Sequence, residues 1–306
     1  MKLLHEAVLE RRLVADGAMG TELMAAGLEA GGCGEAWNLL HPDRVLAIQR
    51  RYADAGADCL LTNTFGASRL MLARHGHAEL ARAINQYGVR LAREALAGRP
   101  GWVIGDLGPL GGILEPVGDL PLASAREAYE EQAAALVEAG ADALIVETQT
   151  SLEELGLGID AARAARAKSI IASLAYDRSA DGTFYVTMMG VLPERAAAFA
   201  AERGAHIVAL NCGTGIDMAA VAAVLRSYRA QVGLPTMGQP NAGNPVLEHG
   251  RAVYKQTPAE MAAGVAEVLA AGAGIVGSCC GSTPAHTAAI RKVVDEFNRR
   301  PAAAAR

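Results

Sequence analysis

The sequence predicts an α/β protein folded as a single (β/α)8 TIM barrel over residues 1–300, and three observations carry that expectation. One unit recurs eight times along the 306 residues: a short Val/Ile/Leu run, a Gly-rich or polar turn, then an Ala-rich helical stretch. The runs are almost wholly apolar instead of alternating, as parallel strands covered on both faces read. Eight such units fit one closed barrel of ordinary size. The alternative with the same element order, an open doubly wound sheet, tends to split at this length.

In chain order the strands fall near Leu13–Ala18, Cys59–Thr64, Trp102–Leu107, Ala143–Thr148, Ile170–Tyr176, Ile207–Cys212, Pro235–Asn241 and Gly274–Cys280. Between them, apolar residues at helical spacing mark Arg44–Ala57, Ala125–Ala139 and Ala259–Ala271. Ser124-x-x-Glu127, Ser151-x-x-Glu154 and Thr257-x-x-Glu260 have the form of capping boxes, where hydroxyl and carboxylate satisfy free backbone N–H groups. Thr283-Pro284 sets a capping hydroxyl before a proline at the first helical position. Helices end at glycine in Ala55-Gly56-Ala57-Asp58, Ala139-Gly140-Ala141-Asp142 and Ala271-Gly272-Ala273, each running straight into the next strand. Two stretches break the rhythm: Ala26–Leu40, rich in glycine, and Pro109–Ser124. Both are expected to be long loops on the C-terminal face. Residues 301–306 read as a disordered tail.

Composition narrows the function. A hydrophobic share of 51% is ample for a large core, and a net charge of −5 without a basic cluster argues against a nucleic-acid partner. No apolar run reaches the ~18 residues of a membrane span, and the N-terminus carries Glu6 and Glu10 in its one apolar stretch. A cytoplasmic protein without membrane association is the expectation. Five cysteines, an odd number, do not form a disulfide framework, so clustered thiols point to metal or redox chemistry.

Functional groups of such a barrel sit at the C-terminal ends of its strands. Cys212 ends the sixth strand and Cys279-Cys280 the eighth, which places three thiols on one rim two strands apart. Three cysteinates with a fourth position left open describe a catalytic zinc site. Gly213, Gly277 and Gly281 let the backbone curl so that adjacent side chains can face one ion. The competing reading makes these cysteines small buried core residues. Cys59, at the opposite end of its strand, is assigned to the core, and Cys33 is assigned as a loop thiol.

Other polar residues close the remaining strands: Asp16-Gly17-Ala18 the first, Thr62-Asn63-Thr64 the second, Asp106 the third, Glu147-Thr148 the fourth and Asn241 the seventh. Glu147, a single carboxylate ending an apolar strand, suggests an ammonium ligand; a structural salt bridge is the other reading. Gly105–Gly112 is glycine-rich but lacks the Lys-Ser/Thr of a phosphate loop. His75, His77 and His249 have no partner at ligand spacing and read as surface. Lys2, Lys168, Lys255 and Lys292 fall outside the strand ends, which argues against an aldolase-type catalytic lysine.

Asp16–Glu22, Leu61–Ala67, Gly105–Pro109, Glu147-Thr148, Asn211-Cys212, Pro240–Gly243 and Gly277–Pro284 together resemble the homocysteine S-methyltransferase family over residues 10–295. The likeness is greatest to the homocysteine-binding module of cobalamin-dependent methionine synthase. Ser278 stands where the family usually has glycine, a change small enough to spare the metal site. The resemblance implies Zn2+ on Cys212, Cys279 and Cys280, with the homocysteine thiol as exchangeable ligand. It also implies that Asp16, Gly17 and Glu147 hold the amino-acid end, and Ala18, Thr62, Asn63 and Asn241 complete the expected substrate contacts. No catalytic residue is expected beyond the metal site. The implied reaction forms methionine by methyl transfer to homocysteine. Its expected donor is a corrinoid, as methylcobalamin or on a partner protein, with S-methylmethionine or a betaine as the alternative. A non-catalytic zinc-thiolate protein is the alternative of another class.

Overall fold

The computed structural model describes residues 1–248 and 251–300. His249 and the tail 301–306 lie outside them. Eight parallel strands form the expected ring: β1 (Leu13–Val14), β2 (Cys59–Leu61), β3 (Trp102–Leu107), β4 (Ala143–Gln149), β5 (Ile170–Leu174), β6 (Ile207–Asn211), β7 (Thr236–Gln239) and β8 (Ala273–Val276). Each pairs in parallel with the next in chain order, and β8 returns to β1 through Leu13–Ile275 and Val14–Val276. Between β1 and β2 the ring closes on one parallel bridge, Ala15 to Cys59, with the Asp16 N–H donating to the Cys59 carbonyl at 3.0 Å. The open-sheet alternative is thereby excluded.

The barrel interior is a packed core. Ile104, Ile145, Ile171, Ile207, Met237 and Ile275 fill it without solvent exposure, and the N-terminal helix Leu4–Glu10 plugs the bottom with Leu4, Ala7 and Val8. Cys59 belongs to this lower core, as expected. A second, larger cluster joins the outer strand faces to the helices.

Several helix boundaries differ from expectation for identifiable reasons. The helix expected from Ala125 begins at Leu122 and runs to Glu138. Glu115, not Ser124, serves its first turn, accepting from the Leu122 N–H at 3.1 Å. Ser151 does cap helix Leu152–Ala164 through the Glu154 N–H. The Glu154 carboxylate instead turns to the Leu110 N–H at 2.7 Å and to the Tyr129 hydroxyl, so this box is half formed. The Thr257–Glu260 box is complete. At Thr283 the backbone N–H donates to His286 Nδ1, so a histidine takes the reciprocal role. The stretch Ala259–Ala271 splits into helices Pro258–Ala263 and Val265–Ala270 at Gly264, where a side chain would overlap Met218.

The Ala26–Leu40 loop carries a short helix, Trp37–Leu40, and is tied to the barrel. Asn63 Nδ2 donates to the Gly34 carbonyl and to Asn38 Oδ1, and the Gly66 N–H donates to Glu35. Two hairpins, Asp177–Arg178 with Tyr185–Val186 and Val246–Glu248 with Arg251–Val253, follow β5 and β7 and rise on the C-terminal side. Among the described residues no helix is long and apolar enough to cross a membrane.

Candidate metal centre

Cys212 leaves the top of β6 with its N–H on the Gln239 carbonyl (3.2 Å) and a left-handed φ of 55°. That uncommon conformation turns the thiol inward, and Gly213 continues it at φ 85°. A side chain at Gly213 would overlap the Tyr176 carbonyl oxygen, so glycine is required there. Asn211 braces the turn. Its Oδ1 accepts from the Ser173 hydroxyl (2.6 Å) and the Thr148 N–H (3.0 Å), and its Nδ2 donates to Thr148 Oγ1 (2.7 Å).

The other two cysteines lie just beyond β8, past the last strand residue. The Cys279 N–H donates to the Pro240 carbonyl at 2.8 Å, and the Cys280 carbonyl accepts from the Ala242 N–H at 2.9 Å. Ser282 closes the loop, its hydroxyl donating to the Cys279 carbonyl (2.8 Å) and accepting from the Ala18 N–H (3.0 Å). Ser278, the departure from glycine, is buried and donates to Ser282 Oγ at 2.9 Å, away from the thiols.

The three sulfurs converge. Cys212 Sγ stands 3.0 Å from Cys279 Sγ and 3.7 Å from Cys280 Sγ, and the latter two are 3.9 Å apart. Ligands of a tetrahedral zinc with Zn–S of about 2.3 Å stand about 3.8 Å from one another, so two of the three spacings already fit. The third is far longer than the ~2.05 Å of a disulfide and is a thiol hydrogen bond. These three form one group able to hold a metal ion, and all are half-buried. Cys33, half-buried with Sγ 3.6 Å from Glu35, stands apart from them.

The cluster electrostatics show one thiolate held by two thiols. Hydrogen bonds from Cys212 and Cys279 bring Cys280 down to about 3. At Cys212 the bond with Cys279 favours the thiolate, but the bond with Cys280 and burial outweigh it and hold this thiol up. Cys279 is raised by its bonds to Cys212 and Cys280 and by burial. A divalent ion would stabilise all three as thiolates.

Beside the sulfurs lies a nest of buried carboxyls. Burial lifts Glu147 to about 7 against the opposing effect of its hydrogen bond with Asp106. Burial and the Glu147 charge raise Asp106, which makes it the proton donor of the pair. Burial likewise raises Asp16, whose Oδ2 accepts from the Leu61 N–H at 2.8 Å. Asp16 Oδ1, Asp106 Oδ1, Gln239 Oε1 and Asn241 Oδ1 are buried acceptors without a partner. An unsatisfied buried acceptor is costly, and those of Asp16 and Asp106, beside the Glu147 carboxyl, suit a ligand rich in N–H donors.

The remaining sequence-derived residues frame this site. Gly17 packs against Ser282 and Tyr52, where a Cβ would stand 2.5 Å from Ser282 Oγ. The Ala18 N–H is taken by Ser282 and its carbonyl by the Tyr52 hydroxyl. Thr62 bonds to Thr64 Oγ1 (2.6 Å) and accepts from the Asp106 N–H (3.0 Å). Asn63 reaches outward to the Gly34 loop, and Asn241 Nδ2 donates to the Gly213 carbonyl at 3.2 Å. Sequence reasoning placed Asp106 on the rim but not among the ligand contacts. The signal that assigns it is its pairing with Glu147, which no spacing along the chain reveals. Tyr254, whose ring lies over Gly281 beside Cys280, gave no signal either.

Comparison with known proteins agrees with this geometry. The model of the family described as homocysteine S-methyltransferase matches residues 13–294. The methionine synthase of Mycobacterium tuberculosis is 34% identical over 97% of this chain, and that of Mycobacterium leprae 33% over 96%. This chain spans only about a quarter of their lengths, 26% and 25%. The metallated form of the homocysteine methyltransferase MmuM from Escherichia coli superposes with a TM-score of 0.78 at 24% identity, over 95% of this chain and 99% of that one.

Proposed function

Because this chain belongs to the homocysteine S-methyltransferase family, we propose that it transfers a methyl group to the thiol of homocysteine, forming methionine, with Zn2+ held by Cys212, Cys279 and Cys280. The observation that carries the reading is the juxtaposition of the sulfur triad with the Glu147–Asp106–Asp16 carboxyls and their partnerless acceptors. One end of the cleft suits a soft sulfur ligand and the other an ammonium, the two ends of homocysteine. Bound zinc would supply a Lewis acid that keeps the substrate sulfur deprotonated and nucleophilic at neutral pH.

The protein's own groups bind and orient. Glu147, ionised when the ammonium enters, pairs with it, while Asp106 keeps its proton and donates to Glu147. Asp16 and Asn241 offer the free oxygens for the remaining ammonium hydrogens. Ser282, bonded to both the Ala18 N–H and the Cys279 carbonyl, couples the amino-acid end to the metal loop. Thr62, Asn63, Gly17 and Ala18 set the positions of these groups. In the reaction the new S–CH3 bond forms as the donor's bond to that methyl breaks, and the substrate thiol proton leaves to solvent. Orientation and exclusion of water are the protein's contribution to the rate.

For the donor, the rim favours a large methylated corrinoid, free or carried by a partner protein. Phe65, Ile113, Val117, Phe184, Met188 and Leu247, on loops after β2, β3, β5 and β7, expose apolar side chains around the mouth. Such a collar suits a broad apolar face. The Ala26–Leu40 loop is anchored to β2 by Asn63 and Glu35. A cytoplasmic location fits methionine formation of this kind. The test is to incubate zinc-loaded protein with homocysteine and either methylcobalamin or S-methylmethionine, and to measure methionine. Methionine from S-methylmethionine alone overturns the corrinoid donor; failure to form methionine from either of these donors and from a methylated corrinoid protein overturns the acceptor assignment.

A further inference from the structure

The bottom of the barrel, opposite the thiols, repeats one local device. Three helix-to-strand turns have the form glycine, alanine, acceptor: Gly56-Ala57-Asp58, Gly140-Ala141-Asp142 and Gly204-Ala205-His206, each glycine at positive φ. In each, the third residue's side chain accepts the backbone N–H of the neighbouring strand. Asp58 Oδ2 takes the Val14 N–H (2.8 Å), Asp142 Oδ2 the Val103 N–H (2.9 Å) and His206 Nδ1 the Ile170 N–H (3.1 Å). The two carboxylates also gather arginines: Arg11 and Arg291 on Asp58, and Arg93 on Asp142.

The fourth turn, Gly272-Ala273-Gly274 leading into β8, has the same glycine at φ 105° but a second glycine where the acceptor belongs. A cavity of about 240 Å³ opens there, bounded by Gly272, Gly274, the Val232–Pro235 segment, Val8 and Leu9. Arg12 and Arg229 line it together. Neither makes a carboxylate pair among the described residues. Arg12 reaches the Val8 carbonyl (3.5 Å), with its guanidinium 6.0 Å from the centroid of the Phe297 ring, and Arg229 the Gly272 carbonyl (3.4 Å), both long hydrogen bonds. No acidic side chain lines the cavity. Arg229 also sits in the last turn of helix Met218–Gln231, where a cation answers the helix dipole, but that does not account for Arg12 converging on the same space. Burial and the nearby Arg229 charge both act against the Arg12 cation.

We propose that this cavity is an anion site, in which a small carboxylate or phosphate occupies the place that Asp58 and Asp142 fill in the equivalent turns. Two guanidinium groups supply donors of the kind that bind such oxygens. The apolar walls from Val8, Leu9, Val232 and Leu234 accept a short aliphatic body behind the charged head. No acidic side chain is there to pair with an ammonium, so the lining favours a plain anion over a zwitterion, at the opposite end of the barrel from the thiols.

The test is thermal unfolding of the full chain with inorganic phosphate, acetate or hexanoate, each against sodium chloride of equal ionic strength. The wild-type melting temperature should rise saturably with at least one anion above the chloride control. A larger rise with hexanoate than acetate assigns the apolar walls to the ligand, and a rise with phosphate alone assigns the headgroup. Arg229→Gln, at an exposed position, and Arg12→Gln should each abolish the response. Gly274→Asp, which sets a carboxylate of the chain's own beside the cavity, should also abolish it; a side chain there presses on Val8, so the response is read against that variant's own chloride control. A response equal to the chloride control, or one that persists in both arginine variants, overturns the site.

Discussion

Replacing Glu147 by glutamine should make the empty protein more stable and the substrate complex weaker. Burial raises this carboxyl from 4.5 to about 7. At about 1.4 kcal/mol per pKa unit, holding it ionised in the folded chain costs on the order of 3 kcal/mol. The raised value means the folded protein keeps a proton that the unfolded chain has already lost between about 4.5 and about 7. Stability from this group therefore falls as pH rises through that window, and the full penalty applies above it. Glutamine keeps an acceptor for the Asp106 proton and has no charge to desolvate. At pH 8 the variant should melt roughly 6 °C above wild type, taking about 2 °C per kcal/mol for a domain of this size, and the difference should shrink towards pH 4. Homocysteine binding should move the other way, losing roughly 2–5 kcal/mol with the ammonium's partner. Melting curves at several pH values, calorimetric titration with homocysteine and zinc analysis read all three effects. A pH-independent difference in melting temperature together with an unchanged homocysteine affinity would refute the assignment of Glu147.

In wild type, homocysteine affinity should rise between pH 6 and pH 8 as both Glu147 and the substrate thiol give up protons, and the rise should be shallower in Glu147→Gln, which keeps only the thiol's share; titration calorimetry in two buffers of different ionisation heat measures the protons released. Purified protein should contain about one zinc per chain, and Cys280→Ser should lose most metal affinity with the circular dichroism of a folded barrel retained, because no core contact depends on that thiol; full retention of zinc refutes the triad. Gly213→Ala forces a side chain into a left-handed conformation, costing about 1–2 kcal/mol, and against the Tyr176 carbonyl, so both urea stability and zinc retention against a chelator should fall. Unchanged chelator competition would show that Cys212 does not need this turn.

The barrel was legible because burial on both faces writes continuous apolar runs, and because glycine turns repeat before Cys59, Ala143 and Ala273. The sulfur triad was legible because a closed barrel brings all strand ends to one rim whatever their separation along the chain. What escaped depends on side chains that meet only in space. Ser124 and Glu127 have the spacing of a box, yet Glu115, reaching back from a loop, fixes where the helix begins. Glu154 has the right place for reciprocal capping and is drawn instead to Leu110 and Tyr129, since a buried N–H and hydroxyl need an acceptor more than a solvated helix end does. Asp106 looked like one more polar residue at a strand end until its contact with Glu147 was visible.

The N-terminal helix that stoppers the barrel has a consequence for how the chain acquires its structure. Leu4 and Val8 share a cluster with Met237 and Ile275, partners more than 220 residues downstream. Helix Leu4–Glu10 precedes in the chain every strand that lines its cavity, so its apolar face has no place to go until β7 and β8 have joined the ring. Contacts of such sequence separation form slowly, because the long loop must close before any burial rewards it. Helix Leu4–Glu10 should therefore be among the last elements to dock, and the seam between β8 and β1 the final joint of the ring to set.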